Sequence, residues 1–282
     1  MIEREFIKKF EKQVKKTIQK YKLATKKDKI IVAMSGGKDS TVVAYLLKKF
    51  GFNVHAIHIN LLMGKWSEEN QKNVEIFCKQ FKILLNVYSI RDEIGCAMCY
   101  AKSVVQQKTN LKQCTICGVI RRKIINQRSR ELKATKVATG HNLDDEAQTI
   151  LMNFFKGNPS LSLKRGPLTG IIQDKKLITR IKPLYFCKES DIRKYSEIMK
   201  FQVLYQRCPC VLGAMRHEIR NKLDEFEKNN PDIKKNIVNS WLEIKKNLLK
   251  KVVKGNVNYC KICGEPSANE ICKSCQILDK LK

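Results

Sequence analysis

Three groups of residues have types and spacing that can do chemistry. The first is Ser35-Gly36-Gly37-Lys38-Asp39-Ser40, which follows the apolar run Lys29 to Ala33 and precedes a helical stretch. Two glycines let the backbone turn sharply against a ligand, and the helix N-terminus then presents N–H groups to a phosphate. Lys38 adds charge, and Ser35 and Ser40 add hydroxyls. The loop is not of the G-x-x-x-x-G-K-[ST] type, so a leaving pyrophosphate suits it better than γ-phosphoryl transfer. The second group is Gly140-His141-Asn142-Leu143-Asp144-Asp145-Glu146-Ala147, which ends one predicted strand and opens a helix. Adjacent carboxylates there can hold Mg²⁺ or act as a base, or Asn142 or Asp144 can simply cap the helix. The third group is cysteine. Eight of the 12 form C-x-x-C pairs: Cys96/Cys99, Cys114/Cys117, Cys260/Cys263 and Cys272/Cys275. Cys78 and Cys187 stand apart and read as core residues.

The last two pairs make C-x2-C-x8-C-x2-C, the spacing of a structural Zn²⁺ site closed by four thiolates. The segment after Asn256 is too short to fold on its own core, so metal must stabilise it. The first two pairs leave two readings open: a Cys₄ zinc site, or thiols that handle sulfur or a cluster.

Elements must position these groups. Phe6, Phe10, Val14, Ile18 and Tyr21 predict an amphipathic helix within 1–26. Strands are predicted at 29–33, 53–60, 83–90, 136–139 and 177–181, with helices at 41–50, 68–81, 117–132, 144–155, 188–199 and 215–229, and another from Pro231 to Lys250. Strand–helix alternation indicates a parallel α/β sheet of Rossmann-like type. The Gly/Pro-rich stretch 157–174 reads as a loop. The expected organisation is an N-terminal helix (1–26), an ATP-binding α/β domain (27–186), a helical segment (187–255) and a zinc ribbon (256–282).

The chain of 282 residues has a formal net charge of +29, which points to a polyanionic partner, although lysine-rich composition alone contributes to it. No apolar run is long enough for a membrane span, and no signal-peptide pattern opens the chain, so a cytoplasmic protein is expected. Reduced thiols rather than disulfides fit that compartment.

The Ser35–Ser40 hexapeptide resembles the signature of the PP-loop ATP pyrophosphatases. Cys114-Thr115-Ile116-Cys117-Gly118-Val119-Ile120-Arg121-Arg122, the Gly140–Ala147 segment and Arg207-Cys208-Pro209 resemble, in that order, the tRNA 2-thiouridine synthetase branch. That branch includes cytosolic wobble-uridine and thermophile ribothymidine thiolases and is related to the 2-thiocytidine thiolases. The resemblance covers about Lys29 to the C-terminus. It implies an AMP-forming sulfurtransferase that adenylates uridine O2 and replaces it with sulfur. It implies ATP and Mg²⁺ binding by Met34, Ser35, Gly36, Gly37, Lys38, Asp39, Ser40, Gly140, Asp144 and Asp145; His58, near the end of the second strand, either lines the adenosine pocket beside the loop or is a structural histidine. Asp145 and Arg121 are the implied catalytic residues. Cys114, Cys117 and Cys208 are the implied ligands of a [4Fe–4S] cluster that leaves one iron free for a sulfur nucleophile. Cys210 is an unexpected neighbour and competes with Cys208 for that place. Implied partners are tRNA, a sulfur donor (free sulfide or a thiocarboxylated ubiquitin-like carrier protein) and a second copy of the chain. Two departures stand out: the family's N-terminal zinc finger is absent, and Cys96/Cys99 has no counterpart. Rival readings are a 2-thiocytidine synthetase, a lysidine-type enzyme and a non-catalytic zinc-containing RNA-binding protein.

Overall fold

The structure is a computed structural model that describes residues 2–158, 160–163, 165–170, 174, 176–206, 208–210, 215–249 and 258–281. Arg207, Pro159 and the expected boundary at Gly255 and Asn256 lie outside them.

The chain runs α1 (Ile2–Lys20), β1 (Lys29–Met34), α2 (Lys38–Lys49), β2 (Asn53–Asn60), α3 (Lys65–Gln80), β3 (Leu84–Ser89), α4 (Ile90–Ile94), α5 (Met98–Gln107) and α6 (Gln113–Glu131). It continues through β4 (Lys136–Ala138), α7 (Leu143–Phe155), α8 (Ser160–Leu163), β5 (Leu168–Thr169), β6 (Thr179–Ile181), α9 (Glu189–Ile198), α10 (Met215–Asn229) and α11 (Ile233–Leu249). β7 (Asn258–Tyr259), β8 (Pro266–Ser267) and α12 (Lys273–Asp279) form the tail.

The main sheet has the order β3-β2-β1-β4-β6-β5. All pairs are parallel except β5 with β6, where Leu168 faces Ile181 and Thr169 faces Arg180. Buried residues of β1 alternate between two cores. Ile30 and Val32 join α1, α2, α3 and α9 on one face, while Ile31 joins α5, α6 and α12 on the other. A strand covered on both faces must be apolar throughout, which is why Lys29–Met34 reads as a continuous run. A third core packs α10 and α11 onto α7 through Leu143, Ile219, Leu223, Val238 and Trp241.

Two helix starts differ from the sequence expectation, and both bear on function. α2 begins at Lys38 because Gly37 takes the N-cap position, so Lys38 and Asp39 belong to the first helical turn. α6 begins at Gln113 and includes Cys114 and Cys117, whose i,i+3 spacing puts both thiols on one side of the helix. α5, unforeseen, packs against α6.

Candidate active site

From β1 the chain runs through β2 to β3 on one side, and β4 then pairs with β1 on the other. The crevice outside the carboxyl ends of β1 and β4 is thus a topological switch point, where ligands bind in open α/β sheets. The Ser35–Ser40 loop leaves β1 there, and Gly140 to Asn142 leave β4 beside it.

The loop is braced from within. Ser35 N–H donates to Ser40 Oγ at 3.1 Å, the two serine hydroxyls lie 3.2 Å apart, and Ser40 and Thr41 hydroxyls both donate to Gly37 O at 3.1 Å. Gly36 has φ +82°, and a Cβ on it would fall 2.2 Å from Asn70 Oδ1. No side chain caps α2, so its first N–H groups face outward for an anion. Gly140 packs so tightly that a Cβ would lie 2.8 Å from Asp39 C and Ser40 N. Met34 is buried at the end of β1, and His58, only 4 % exposed, holds Met34 O through Nδ1 at 3.1 Å. Burial pushes the His58 imidazole below its ordinary range, and its Nε2 has no hydrogen-bond partner among the described residues. It buttresses the strand before the loop and is absent from the groove lining.

A groove of about 1330 Å³ opens in front of the loop. Gly37, Lys38, Asp39, Cys114, Arg122, Asp144, Cys208, Cys210 and Arg216 are among its lining residues. The loop therefore shares one cavity with Cys114 and Cys208, while Cys117 is not among its lining residues. Lys38 lies between Asp39 (3.1 Å) and Glu189 (2.8 Å), and Arg220 also reaches Glu189 at 3.1 Å. Burial and the nearby Asp145 carboxylate push Asp39 above the usual carboxylate range, against Lys38 and Asn142.

The adjacent aspartates divide their work. Asn142 caps α7, accepting from Asp145 N–H at 3.0 Å, and Asp145 Oδ2 accepts the Asn142 N–H at 3.4 Å in return. Asp145 Oδ1 faces Arg216 at 3.4 Å. Asp144 is buried with both oxygens committed: Oδ1 to Lys234 (2.6 Å) and Oδ2 to the Glu189 N–H (2.7 Å). Asp144, Asp224 and Glu227 surround the Lys234 ammonium, which fills the position a metal ion would take.

Arginines line the way to the thiols. Arg121 and Arg122 have no acidic partner among the described residues, and Arg121 Nε is buried without a hydrogen bond. Burial and the positive charge of Arg122 bring Arg180 down to about 10. Uncompensated guanidinium groups of this kind are a place for phosphate.

Around the cysteines, the Cys210 N–H donates to Cys208 Sγ, and Cys117 lies within charge range of Cys208. Burial pushes the Cys208 thiol up, and the Cys210 N–H opposes it only in part. Cys99, on α5, is exposed, with Cys210 and Cys117 among the groups nearby. Burial and Cys210 push Cys99 up, with Lys102 opposing. Burial alone pushes the Cys96 thiol up. Two sulfurs on one Zn²⁺ lie no more than about 4.6 Å apart, since each Zn–S bond is ~2.3 Å. Among the described residues only the tail cysteines are gathered within 4.8 Å, so the Cys96/Cys99/Cys114/Cys117 zinc reading lacks its geometry. A [4Fe–4S] cluster binds each thiolate to a separate iron, and Cys114 and Cys208 both line the groove that would receive it.

The tail fits zinc. Cys260, Cys263, Cys272 and Cys275 converge, with Cys263 Sγ 3.7 Å from Cys272 Sγ. N–H groups of Cys272 and Cys275 donate to Cys260 Sγ and Cys272 Sγ at 3.2 and 3.4 Å. The backbone N–H groups of Cys272 and Cys263 bring Cys260 down to about 6. The ribbon docks on α6: α12 packs against it, and Arg130 and Asn126 bond Glu265.

A family description, PP-loop domain, matches residues 6–223. The tRNA-5-methyluridine(54) 2-sulfurtransferase of Pyrococcus horikoshii is 35% identical over 276 residues, covering 98% of this chain and 86% of that protein. Cytoplasmic tRNA 2-thiolation protein 1 of Drosophila mojavensis is 31% identical over 280 residues, covering 96% of this chain and 79% of that protein. Among solved structures, the U34-tRNA thiolase NcsA from Methanococcus maripaludis with its [4Fe–4S] cluster matches with TM-score 0.79 and 31% identity, over 98% of this chain and 88% of that one. The chain belongs to the PP-loop family, in the group that contains the tRNA 2-sulfurtransferases and tRNA 2-thiolation proteins.

Proposed function

We propose that this enzyme is an ATP-dependent tRNA sulfurtransferase that forms 2-thiouridine. The carrying observation is the single groove that joins the Ser35–Ser40 loop to Cys114 and Cys208. The β- and γ-phosphates rest on the N-terminus of α2, with Lys38 released from Glu189 to meet them. Asp39 with Asp145 beside it would hold Mg²⁺, because their mutual repulsion is what a divalent cation relieves. Asp144 is instead tied to the buried Lys234 ammonium and the Glu189 N–H. Uridine O2 attacks the α-phosphorus and pyrophosphate leaves. A sulfur nucleophile then attacks C2, and AMP departs with the original oxygen. Cys114, Cys117 and Cys208 would hold a [4Fe–4S] cluster, whose iron without a cysteine ligand supplies the sulfur-binding position. Arg121 and Arg122 carry the phosphate of the adenylated base or of tRNA. Asp145 and Arg216 hold the entry to α7 and orient the groove wall. The net charge of +29 draws tRNA in, a cytoplasmic setting suits reduced thiols, and the tail carries a structural Zn²⁺.

The test is anaerobic incubation with tRNA, ATP, Mg²⁺ and sulfide, reading AMP and 2-thiouridine. Both products appear, and both are lost in Cys114→Ala together with roughly three to four irons per chain. AMP-free incubation, or a Cys114→Ala variant as active as the parent, refutes the reading. Zinc in place of iron at this site refutes the cluster.

A further inference from the structure

The lysine of the phosphate loop has an anion against it that comes from a distant part of the chain. Glu189 is the first residue of α9, and its carboxylate bridges two other elements. Oε1 contacts Lys38 Nζ of α2 at 2.8 Å, and Oε2 contacts Arg220 of α10 at 3.1 Å. Asp39 also contacts the Lys38 ammonium, at 3.1 Å, but it belongs to the loop itself. The main chain of Glu189 is anchored. Its N–H donates to Asp144 Oδ2 at 2.7 Å, and Asp144 Oδ1 holds Lys234, which Asp224 (2.6 Å) and Glu227 (2.7 Å) bind in turn. The carboxylate is 30 % exposed, and Lys38, Glu189 and Arg220 all line the one groove. An anchored main chain with a part-exposed carboxylate between two cations has two places to put one charge. Phosphates that settle on Lys38 at the start of α2 meet a carboxylate bonded to the same ammonium, and like charges at that range repel. Arg220 contacts the other oxygen, so the carboxylate keeps a partner when Oε1 gives up Lys38.

We propose that Glu189 is a positioning residue that acts through Lys38: it yields the ammonium to ATP, stays on Arg220 during the reaction and returns to Lys38 to clear pyrophosphate from the loop. This rests on the sulfurtransferase reading and deepens it by assigning the step that empties the site. No covalent bond changes in the exchange. Lys38 is neutralised by phosphate in one state and by Glu189 in the other, and Arg220 is neutralised by Glu189 in both. ATP and pyrophosphate differ in what else holds them. ATP adds its adenosine and α-phosphate to the grip of the loop, whereas pyrophosphate has only the contacts of its phosphates. A carboxylate that competes for Lys38 therefore removes a larger share of the affinity for pyrophosphate than for ATP. Product release limits turnover in many enzymes, so weaker product binding raises turnover even where substrate binding weakens with it.

The experiment titrates inorganic pyrophosphate with Mg²⁺ into the anaerobically purified full chain, without tRNA, and reads the heat of binding. Glu189→Gln is expected to bind pyrophosphate about 2- to 5-fold more tightly than the parent, the range for one partly exposed ion pair. A gain in affinity is not what a misfolded variant gives. Arg220→Met leaves the displaced carboxylate without its second partner. It is expected to weaken pyrophosphate binding by a similar factor, and to have no effect once Glu189 is Gln. In AMP formation with tRNA and sulfide, added pyrophosphate is expected to inhibit Glu189→Gln at an about 2- to 5-fold lower concentration than the parent. Unchanged or weaker pyrophosphate binding by Glu189→Gln overturns the proposal. So does an Arg220→Met effect that persists beside Glu189→Gln, because Arg220 is then a phosphate ligand in its own right. Absence of AMP from the parent refutes the sulfurtransferase reading, whereas the titration decides the role of Glu189 without it.

Discussion

Gly140→Ala is the sharpest test of how the two halves of the site are joined. The new Cβ would stand 2.8 Å from Asp39 C, 2.8 Å from Ser40 N and 2.9 Å from Asp39 Cβ. Non-bonded carbon atoms settle at about 3.5–4.0 Å, so the β4–α7 turn and the first turn of α2 must part by roughly 0.7 Å. The obstructing atoms are main chain or Cβ, so no side chain can rotate out of the way. Overpacking of this kind costs about 1–3 kcal/mol, and at ~2–4 °C per kcal/mol the protein stays folded at room temperature. Catalysis is less forgiving. A displacement approaching 1 Å between groups that must act together costs about 100-fold. The expected result is a 10- to 100-fold fall, in round figures, in ATP-dependent AMP formation, with a Tm lowered by several degrees. The assay is anaerobic AMP release at saturating tRNA, alongside thermal unfolding followed by circular dichroism. Undiminished AMP formation in a folded Gly140→Ala variant would refute the claim that this contact sets the geometry of the loop.

Glu146 is fully buried and contacts Lys182 at 2.7 Å and Arg165 at 2.9 Å. Glu146→Gln strands Lys182 and should cost about 3–5 kcal/mol in denaturant unfolding. Burial raises the Glu146 carboxyl, but Lys182 and Arg165 outweigh it and hold it below its ordinary range. Its stabilising share is therefore present above the unfolded value near ~4.3 and is lost as pH falls through the lower folded value, so the variant's stability should fall less steeply over that acid window. Glu189→Gln removes the carboxylate that competes with phosphate for Lys38, and ATP should bind about 2- to 5-fold more tightly by equilibrium titration, as expected for a partly exposed ion pair. Cys272→Ser should lose about one zinc per chain and expose the tail to protease, while the iron is retained.

How much of the fold was legible follows from what each segment buries. Lys29–Met34 announces itself because it is covered on both faces, Ile31 on one and Ile30 and Val32 on the other. β2, exposed only at its first residue, matches its predicted span from Asn53 to Asn60. β5 could not be foreseen, because two residues, Leu168 and Thr169, carry no periodicity and their antiparallel pairing depends on β6 being in place. α5 escaped for another reason. Its cysteine invited a metal reading of Cys96 and Cys99 as a pair, whereas burial of Met98, Ala101, Lys102 and Val105 makes one helical face. α6 was expected to start at Cys117, yet the buried ladder Ile116, Ile120 and Ile124 extends the helix back past Cys114.

The site teaches a related lesson about adjacency. Asp144 and Asp145 are neighbours in a sequence that resembles a thiolase signature, and both were expected to bind or act. Successive residues on a helix point about 100° apart, so two neighbours cannot serve one groove in the same way. Asp144 turns inward and clamps Lys234 of α11 and the first amide of α9, tying the helical segment to the end of β4. Asp145 turns toward Asp39 and Arg216 and alone keeps an orientation useful to a cation or a substrate. The same geometry works in reverse for the thiols. Cys114 and Cys208 are 94 positions apart in the chain, yet α6 and the segment at Cys208 bring both to the wall of one groove. Spacing found the pair that shares a helix, Cys114 and Cys117. Only the folded groove joins Cys114 to Cys208.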